Sequence, residues 1–247
     1  MLGMITTDDP GTTGIRDIAE AIGGGIKENS LFLIEGEART GKSVLSQHIA
    51  YGVLYSKGSA IAYYSTDYNN HSLGNQMESM SMENIKAEIA ADRFRVYFMG
   101  SQNMIANAEK ALKLITDHIR ALPKQFQLVV VDSPSPLMQK LDAKPKLDFL
   151  QECKELCEQN GRSIIITIDS HALESRTIQR AYAMSDYYLK LTSQNAVLAS
   201  GQVDTRVIKM MDVTKLAGAE RLGEKPLKFE IKPNVGMQIL PLMQVRI

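Results

Sequence analysis

The chain has 247 residues, 44% of them hydrophobic, and its 28 Lys and Arg residues balance 28 Asp and Glu residues. This length suffices for the core of one α/β domain, so we expect a single domain over residues 1–247. The zero net charge excludes a sequence-wide positive field that would attract nucleic acid or anionic lipid. The N-terminus lacks a signal-peptide pattern and no apolar run approaches the ~20 residues of a membrane-spanning helix, which predicts a soluble intracellular protein.

The first predicted elements are a strand, a loop and a helix. Residues 30–34 form a short apolar run, and apolar positions at helical spacing begin after Lys42. The helix is expected to stop at Lys57-Gly58, before a second apolar run over residues 59–66. This order predicts a βαβ unit with parallel strands.

Further along the chain the pattern changes twice. Residues 105–122 carry apolar side chains at steps of three and four, which predicts an amphipathic helix. Residues 127–132 and 162–169 are almost continuously apolar, as in strands covered on both faces. After Tyr182, short strand-like segments follow one another without helices. We therefore expect an α/β fold whose mostly parallel sheet is flanked by helices and extended at one edge by antiparallel C-terminal strands.

Residues 34–43, IEGEARTGKS, contain a glycine, four further residues and then Gly-Lys-Ser, which is the phosphate-loop pattern. Glycine lets backbone N–H groups close around phosphate oxygens, and the following helix offers its positive end. Lys42 is expected to reach the β and γ phosphates, and the Ser43 hydroxyl to bind Mg²⁺. The predicted nucleotide-binding residues of this segment are Gly36, Glu37, Ala38, Arg39, Thr40, Gly41, Lys42, Ser43 and Val44, with Glu37 pointing outward.

A metal-bound triphosphate also needs a carboxylate at the end of a neighbouring strand. Asp132 closes the apolar run LVVVD and is the predicted residue, orienting Mg²⁺ through water. The alternative is that Asp132 only terminates the strand.

Three stretches resemble the KaiC family of RecA-type ATPases: residues 14–43 with the glycine triplet 23–25, residues 128–136 (LVVVDSPSP), and the segments around residues 183–191 and 210–220. Within that family, the phosphate loop followed by YYSTDYNN is similar to the FlaH (ArlH) branch, the nucleotide-binding components of the archaellum (archaeal flagellar) motor. The resemblance implies a RecA-like fold, binding of ATP with Mg²⁺, and a hexameric ring. It also implies docking to the motor ATPase FlaI (ArlI) and the membrane platform at the cytoplasmic face.

The resemblance places catalysis at the end of the second core strand, where KaiC-like domains usually carry two adjacent glutamates. This chain has Asp67 and Tyr68 there. Aspartate is one methylene shorter, and misplacing a catalytic group by ~1 Å can cost on the order of a hundredfold in rate, so hydrolysis is expected to be slow. The alternative is that Asp67 only caps a turn with Asn69 and Asn70.

A second departure lies near the C-terminus, where related rings often carry KLRG, whose lysine and arginine reach the neighbouring γ-phosphate. Here the segment is KLAG: Lys215 is present, and Ala217 occupies the arginine position. An arginine finger is worth ~10³ to 10⁵ in rate. Arg221 is the candidate substitute for the missing arginine. The alternative interpretation of Lys215 is a solvated charge at the edge of the sheet. We therefore expect ATP to act mainly as a ligand that sets conformation or assembly.

Three active-enzyme alternatives are disfavoured. A recombinase or helicase would need a more basic DNA loop after the strand 162–169 than Arg176 and Arg180 provide. An autokinase would be expected to have a duplicated domain and a Ser-Thr pair near the ring interface, and neither is obvious in the sequence. A small-molecule kinase would be expected to have an arginine-rich lid, and no segment of the sequence has that composition.

The remaining polar candidates have both functional and structural interpretations. His48 is expected to be a hydrogen-bonded core histidine. Asp169, Ser170 and His171 follow a predicted strand, where they would sense the γ-phosphate or simply form a polar strand exit.

Cys153 and Cys157 share a helical face, where they form half of a metal site or, as we expect, pack in the core. The proline-rich residues 134–146 are expected to form a mobile surface segment.

Overall fold

Apolar strands and amphipathic helices alternate along most of the chain in a computed structural model, which describes residues 4–5, 26–197, 203–216, 219–220 and 226–240. The strands are β1 Met4–Ile5, β2 Ile26–Lys27, β3 Leu31–Gly36, β4 Ala60–Ser65, β5 Phe94–Phe98, β6 Phe126–Asp132, β7 Ser163–Asp169, β8 Tyr187–Val197, β9 Val203–Leu216, β10 Ala219–Glu220, β11 Leu227–Lys232 and β12 Gly236–Ile239. The helices are α1 Lys42–Lys57, α2 Asn70–Glu78, α3 Ile85–Ala90, α4 Gln102–Ala106, α5 Ala108–Ala121, α6 Ser135–Met138, α7 Ala143–Asn160 and α8 Ser175–Met184.

The main sheet has the strand order β12-β11-β9-β8-β3-β7-β6-β4-β5, with β10 paired to β9. Strands β8, β3, β7, β6, β4 and β5 are parallel to one another. Strands β9, β11 and β12 continue the sheet in antiparallel fashion. The prediction of an α/β fold with a mostly parallel sheet and an antiparallel C-terminal edge is therefore confirmed. Within the described ranges, strand β1 pairs with β2 in a separate two-stranded sheet.

Side chains of the central strands alternate between two apolar cores. Phe32 and Ile34 of β3 face the core that contains α1, whereas Leu31 and Leu33 face the core that contains α5 and α7. All four are fully buried, because β3 lies between β8 and β7 and helices cover both faces. Full burial of such a side chain stabilises the fold by ~1.5–3 kcal/mol. Because β3, β7, β6 and β4 are parallel neighbours, their carboxyl ends meet at one edge of the sheet.

The single helix predicted over residues 105–122 is instead two helices, α4 and α5, separated at Asn107. The backbone of Asn107 is non-helical, with φ −115° and ψ 48°. Its side-chain amide donates to the carbonyl oxygen of Asn103 at 3.0 Å. Asparagine side chains form such local hydrogen bonds to backbone groups and thereby compete with helix formation. The spacing of apolar residues continues through Asn107, so it does not predict the interruption.

Residues 134–146, predicted to be a mobile surface segment in which prolines resist regular structure, instead contain α6 and the start of α7. Pro134 is the N-cap of α6 and Pro136 lies in its first turn, which tolerates proline because its N–H groups have no intrahelical acceptor. Leu137 and Met138 of this helix are fully buried.

Cys153 and Cys157 are free thiols that are fully buried on the inner face of α7. Burial raises the pKa of Cys157 to about 12, so the thiol stays protonated. The core-packing interpretation is confirmed.

No helix in the described ranges combines the length and the apolar character needed to span a bilayer.

Candidate nucleotide-binding site

The loop between β3 and α1 requires glycine at both ends. A Cβ atom on Gly36 would lie 2.6 Å from the carbonyl oxygen of Leu191 and 2.7 Å from Thr40 Oγ1. Gly41 has φ 105°, and a Cβ there would lie 2.7 Å from Cδ1 of Ile231. At these two positions the loop backbone therefore packs against β8 and β11 with no room for a side chain.

Helix α1 begins directly at this loop without a side-chain cap. Its N-cap is Gly41, and its first turn contains no acidic residue. The first N–H groups of a helix have no intrahelical acceptor, and the helix dipole places partial positive charge there. A phosphate group is the ligand that this end of a 16-residue helix fits best.

Lys42 is the first residue of α1, and its side chain turns back onto the loop. Its Nζ donates to the carbonyl oxygens of Gly36 at 2.7 Å and Glu37 at 2.8 Å, and lies 3.9 Å from Oδ2 of Asp169. Burial lowers the pKa of Lys42, while the carboxylates around it, led by Asp169, act in the opposite direction. The ammonium is held at the mouth of the loop by acceptors that a phosphate oxygen can replace.

Asp132 binds the start of α1 through Ser43. Its Oδ1 accepts hydrogen bonds from Ser43 Oγ at 2.9 Å and Thr167 Oγ1 at 2.7 Å, and its Oδ2 accepts one from Tyr63 Oη at 2.6 Å. Burial raises the pKa of the Asp132 carboxyl, and the three hydroxyl donors act in the opposite direction. A hydroxyl beside a carboxylate is a donor set that suits Mg²⁺ with its water shell. These residues therefore fit the metal that accompanies a nucleotide.

Sequence reasoning missed Tyr63 and Thr167. Each is a polar residue inside a buried apolar strand, and both side chains lie on the α1 side of the sheet, beside Asp132. A hydroxyl in an otherwise apolar run could have indicated a buried polar contact in the sequence. The partner, Asp132, could not be identified, because the contact requires β4 and β7 to lie on either side of β6.

Glu35 was missed as well. It is 5% exposed, precedes Gly36, and accepts a hydrogen bond from Tyr188 Oη at 2.6 Å. Its Oε1 lies 3.9 Å from Nζ of Lys190. Glu35 therefore joins the end of β3 to β8 on the sheet face opposite α1.

Asp67 lies just beyond the end of β4 and is exposed. Its backbone N–H, like that of Tyr68, donates to Ser65 Oγ, at 3.2 and 3.0 Å respectively. Its negative charge contributes to the raised pKa of Asp132. The side chain that caps α2 is Asn69, which forms a capping box with Ser72. Asp67 thus lies at the same sheet edge as Asp132, and its carboxylate faces solvent.

The exit of β7 borders the phosphate loop. The N–H of Ser170 donates to the Gly36 carbonyl oxygen at 3.2 Å, and the N–H of His171 donates to Asp169 Oδ1 at 2.9 Å. The His171 ring is 76% exposed, and its Nε2 lies 4.0 Å from Oε1 of Glu37, which is 72% exposed. Glu37 accordingly points outward, as expected, and Asp169 and His171 stand beside the loop.

The tip of the loop has a non-glycine residue in the left-handed region, Arg39 with φ 65°. Such a conformation costs about 1–2 kcal/mol and persists only where neighbouring groups hold it. One of those groups is Lys209 of β9, whose Nζ donates to the Arg39 carbonyl oxygen.

Lys215 is buried and bound within its own chain. Its Nζ donates to the carbonyl oxygens of Tyr182 at 3.0 Å and Ala183 at 3.1 Å, at the end of α8, and lies 5.2 Å from the Tyr182 ring centroid. Ala217, Arg221 and the glycine triplet 23–25 lie outside the described residues.

His48 is a core histidine, as predicted. Its Nε2 accepts the N–H of Met237 at 3.0 Å, and burial lowers its pKa to about 4. It joins α1 to β12.

Comparison with known proteins gives a consistent result. A family model described as "ATPase: KaiC" matches residues 11–244. The chain is 27% identical over 236 residues to the archaeal flagellar ATP-binding protein FlaH of Sulfolobus acidocaldarius, covering 94% of this chain and 96% of that relative. It is 46% identical to FlaH of Methanocaldococcus jannaschii over 65 residues, which are 26% of this chain and 28% of the relative.

Two solved structures share the fold. The flagellar accessory protein FlaH of Methanocaldococcus jannaschii superposes with a TM-score of 0.77 at 21% identity, covering 97% of this chain and all of that chain. A KaiC-like protein of Pyrococcus horikoshii gives a TM-score of 0.69 at 18% identity, covering 98% of this chain and all of that chain.

Proposed function

Because this chain belongs to the KaiC family of ATPases, we propose that it is an ATP-binding regulatory or assembly component of an archaellum motor. In this proposal the nucleotide acts as a conformational switch, and intrinsic hydrolysis is slow or absent. The relatives named archaeal flagellar ATP-binding protein support the assignment to the motor.

The observation that carries the proposal is the hydrogen bond from Ser43 to Asp132, at the start of the uncapped helix α1. The loop amides and Lys42 would bind the phosphates, with Lys42 exchanging the carbonyl oxygens of Gly36 and Glu37 for phosphate oxygens. Ser43 and Asp132 would hold Mg²⁺, the latter through water. The metal would neutralise phosphate charge.

The same geometry supports slow hydrolysis. The end of β4, beside Asp132, presents Asp67, whose carboxylate is one methylene shorter than that of glutamate. A general base must lie within hydrogen-bonding reach of the attacking water, so a shorter side chain lowers the rate unless the backbone compensates. ATP bound without rapid cleavage is a ligand that stabilises one conformation.

The proposed partners follow from the family. They are other copies of this chain in a hexameric ring, the motor ATPase FlaI (ArlI), and proteins of the membrane platform. In that setting the protein works at the cytoplasmic face, and reaches the membrane only through its partners. Lys215 and Asp67 would contribute to any residual turnover, Lys215 across a ring interface after leaving the carbonyl oxygens it now binds.

The test combines nucleotide binding, turnover and light scattering in Mg·ATP and Mg·ADP, with and without the candidate motor ATPase. We expect binding and ATP-dependent assembly, with turnover below ~1 per second, the low end of ordinary kcat values. Lys42→Ala should abolish binding and assembly, whereas Lys110→Ala, on the exposed face of α5, should change neither. Rapid turnover by the isolated protein would instead support the alternative, an active RecA/KaiC-type ATPase in DNA processing or an autokinase.

A further inference from the structure

The β8–β9 hairpin extends beyond the parallel sheet, beside the phosphate loop. Strand β3 pairs with β8 only as far as Gly36 opposite Leu191. Strand β11 pairs with β9 only at residues 209–211. Among the described strands, residues 194–197 and 203–208 therefore pair only with each other, and we call them the arm. Since Gly36 is the first residue of the phosphate loop, β8 separates from β3 where the loop begins.

Lys209 lies at the base of the arm and contacts the loop. It stands opposite Ser193 of β8 and Phe229 of β11, so it is fixed between two strands. Its Nζ donates to the carbonyl oxygen of Arg39, the residue with the left-handed backbone. This places one end of the bond on the phosphate loop and the other at the base of the arm.

A second contact confirms that the loop and the C-terminal strands form one packed surface. A Cβ atom on Gly41 would meet Ile231 Cδ1 at 2.7 Å and Phe229 Cε2 at 3.4 Å. The loop thus touches β9 at its tip and β11 at its end. A shift in the loop backbone has to be accommodated by these strands, because close-packed atoms leave no free space.

We propose that Lys209 is a positioning residue that couples the phosphate loop to the arm, so that nucleotide binding changes the stability of the arm. This inference rests on the proposed binding of ATP. Phosphate draws the loop N–H groups inward, and each peptide plane that turns also turns its carbonyl oxygen. The Arg39 carbonyl cannot change direction without changing its bond to Lys209.

The environment of Lys209 makes its ammonium group dependent on the hydrogen bond to the Arg39 carbonyl oxygen. The side chain is partly buried, and burial lowers its pKa. An ammonium group that is partly removed from water is unfavourable unless an acceptor binds it. Loss of the Arg39 carbonyl would therefore send the ammonium towards solvent and loosen the base of the arm, whereas a stronger bond would tighten it.

Hydrogen exchange measured by mass spectrometry on the full chain tests the coupling, in buffer alone, in Mg·ADP and in Mg·ATP. Peptides covering residues 36–44 report binding, and peptides covering residues 194–208 report the arm. In the wild type we expect nucleotide to change exchange in the arm by about fivefold or more, the lower end of ordinary coupling between sites.

Lys209→Met should retain nucleotide protection of the loop and lose the response of the arm, and Lys209→Arg should restore it. Lys228→Met is the matched control, because Lys228 is an exposed lysine of β11 adjacent to Phe229 and should leave both responses unchanged.

Each outcome separates the two proposals. A loop that gains no protection in the wild type contradicts ATP binding itself. A protected loop with an unresponsive arm overturns the coupling and leaves ATP binding intact, and so does an arm that responds equally in Lys209→Met. If Lys209→Met does not fold, the comparison of the wild type with Lys209→Arg still decides the question. Retention of the arm response in Lys209→Arg supports a charged donor at this position, and its loss overturns that role.

Discussion

Ser43 Oγ donates to Asp132 Oδ1 across 2.9 Å, so the first turn of α1 is bound to the end of β6. The two residues are 89 positions apart in the chain. Their contact brings a hydroxyl and a buried carboxylate together at the proposed position of the metal.

Asp132→Asn should weaken Mg²⁺-dependent nucleotide binding by about 10- to 100-fold, the usual cost of removing a group that orients a metal's ligands. Asparagine keeps the shape but removes the negative charge. Titration of a fluorescent ATP analogue with and without Mg²⁺ measures the effect, and the Mg²⁺ dependence is expected to shrink most. Asp148→Asn, at an exposed position on α7, is the control. Equal Mg²⁺ dependence in wild type and Asp132→Asn would remove Asp132 from the proposed metal site.

Gly41→Ala should destabilise the fold more than Gly58→Ala. Both glycines have positive φ, which costs about 1–2 kcal/mol for alanine. Only the Gly41 Cβ would clash, 2.7 Å from Ile231, whereas nothing lies within 4 Å at Gly58. Urea unfolding compares the two variants, and Gly41→Ala should also lose nucleotide binding. Equal destabilisation would show that the loop does not pack against β11 as described.

His48 should make stability depend on pH. Its pKa is lowered from 6.5 to about 4 in the folded state, so the unfolded chain binds more protons between these values. The contribution is complete above about pH 6.5 and is lost as pH falls towards 4, on the order of 3 kcal/mol in all. His48→Gln, which keeps an acceptor for Met237, should lack this slope, while the exposed His71→Gln should retain it. Parallel slopes for wild type and His48→Gln, from urea unfolding at several pH values, would contradict the prediction.

Asp67→Glu should raise steady-state ATP turnover, because it restores the length of the carboxylate at the end of β4. A gain of about tenfold to a hundredfold corresponds to correcting a misplacement of ~1 Å. Phosphate release assays measure it, with Asp117→Glu on the surface of α5 as the control. Unchanged turnover would mean that the shortened carboxylate does not limit hydrolysis.

Lys215→Met should lower the free energy of unfolding by about 1–3 kcal/mol, since two carbonyl oxygens at the end of α8 would lose a buried charged donor. Denaturant unfolding of dilute protein, compared with Lys190→Met at a half-exposed position, measures this. An effect seen only at concentrations where rings form would place the contribution of Lys215 between subunits.

Local patterns predicted the parts of the site that are contiguous in sequence. The strand, loop and helix around Gly36 and Lys42 are adjacent in the chain, and Asp132 was found because a carboxylate ended an apolar run. The donors from Tyr63 and Thr167 were not predicted, because they depend on strand order. The contact between Lys209 and Arg39 depends on the register of distant antiparallel strands, which periodicity does not encode.

At Asn107 and Pro134, prediction from sequence patterns also fails for local structure. Hydrophobic spacing continues through Asn107, although its amide interrupts the helix. Proline predicts irregular structure, yet Pro134 is the N-cap of a helix, where its missing N–H has no consequence.

The bonds from Lys42 to the carbonyl oxygens of Gly36 and Glu37 mean that the loop supplies its own stand-in for a ligand. In the proposed function, nucleotide entry exchanges these two acceptors of Lys42 for phosphate oxygens. When the nucleotide leaves, the ammonium group can return to the two peptide oxygens, so it is not left without an acceptor. The contribution of Lys42 to the affinity is then the difference between the two sets of acceptors.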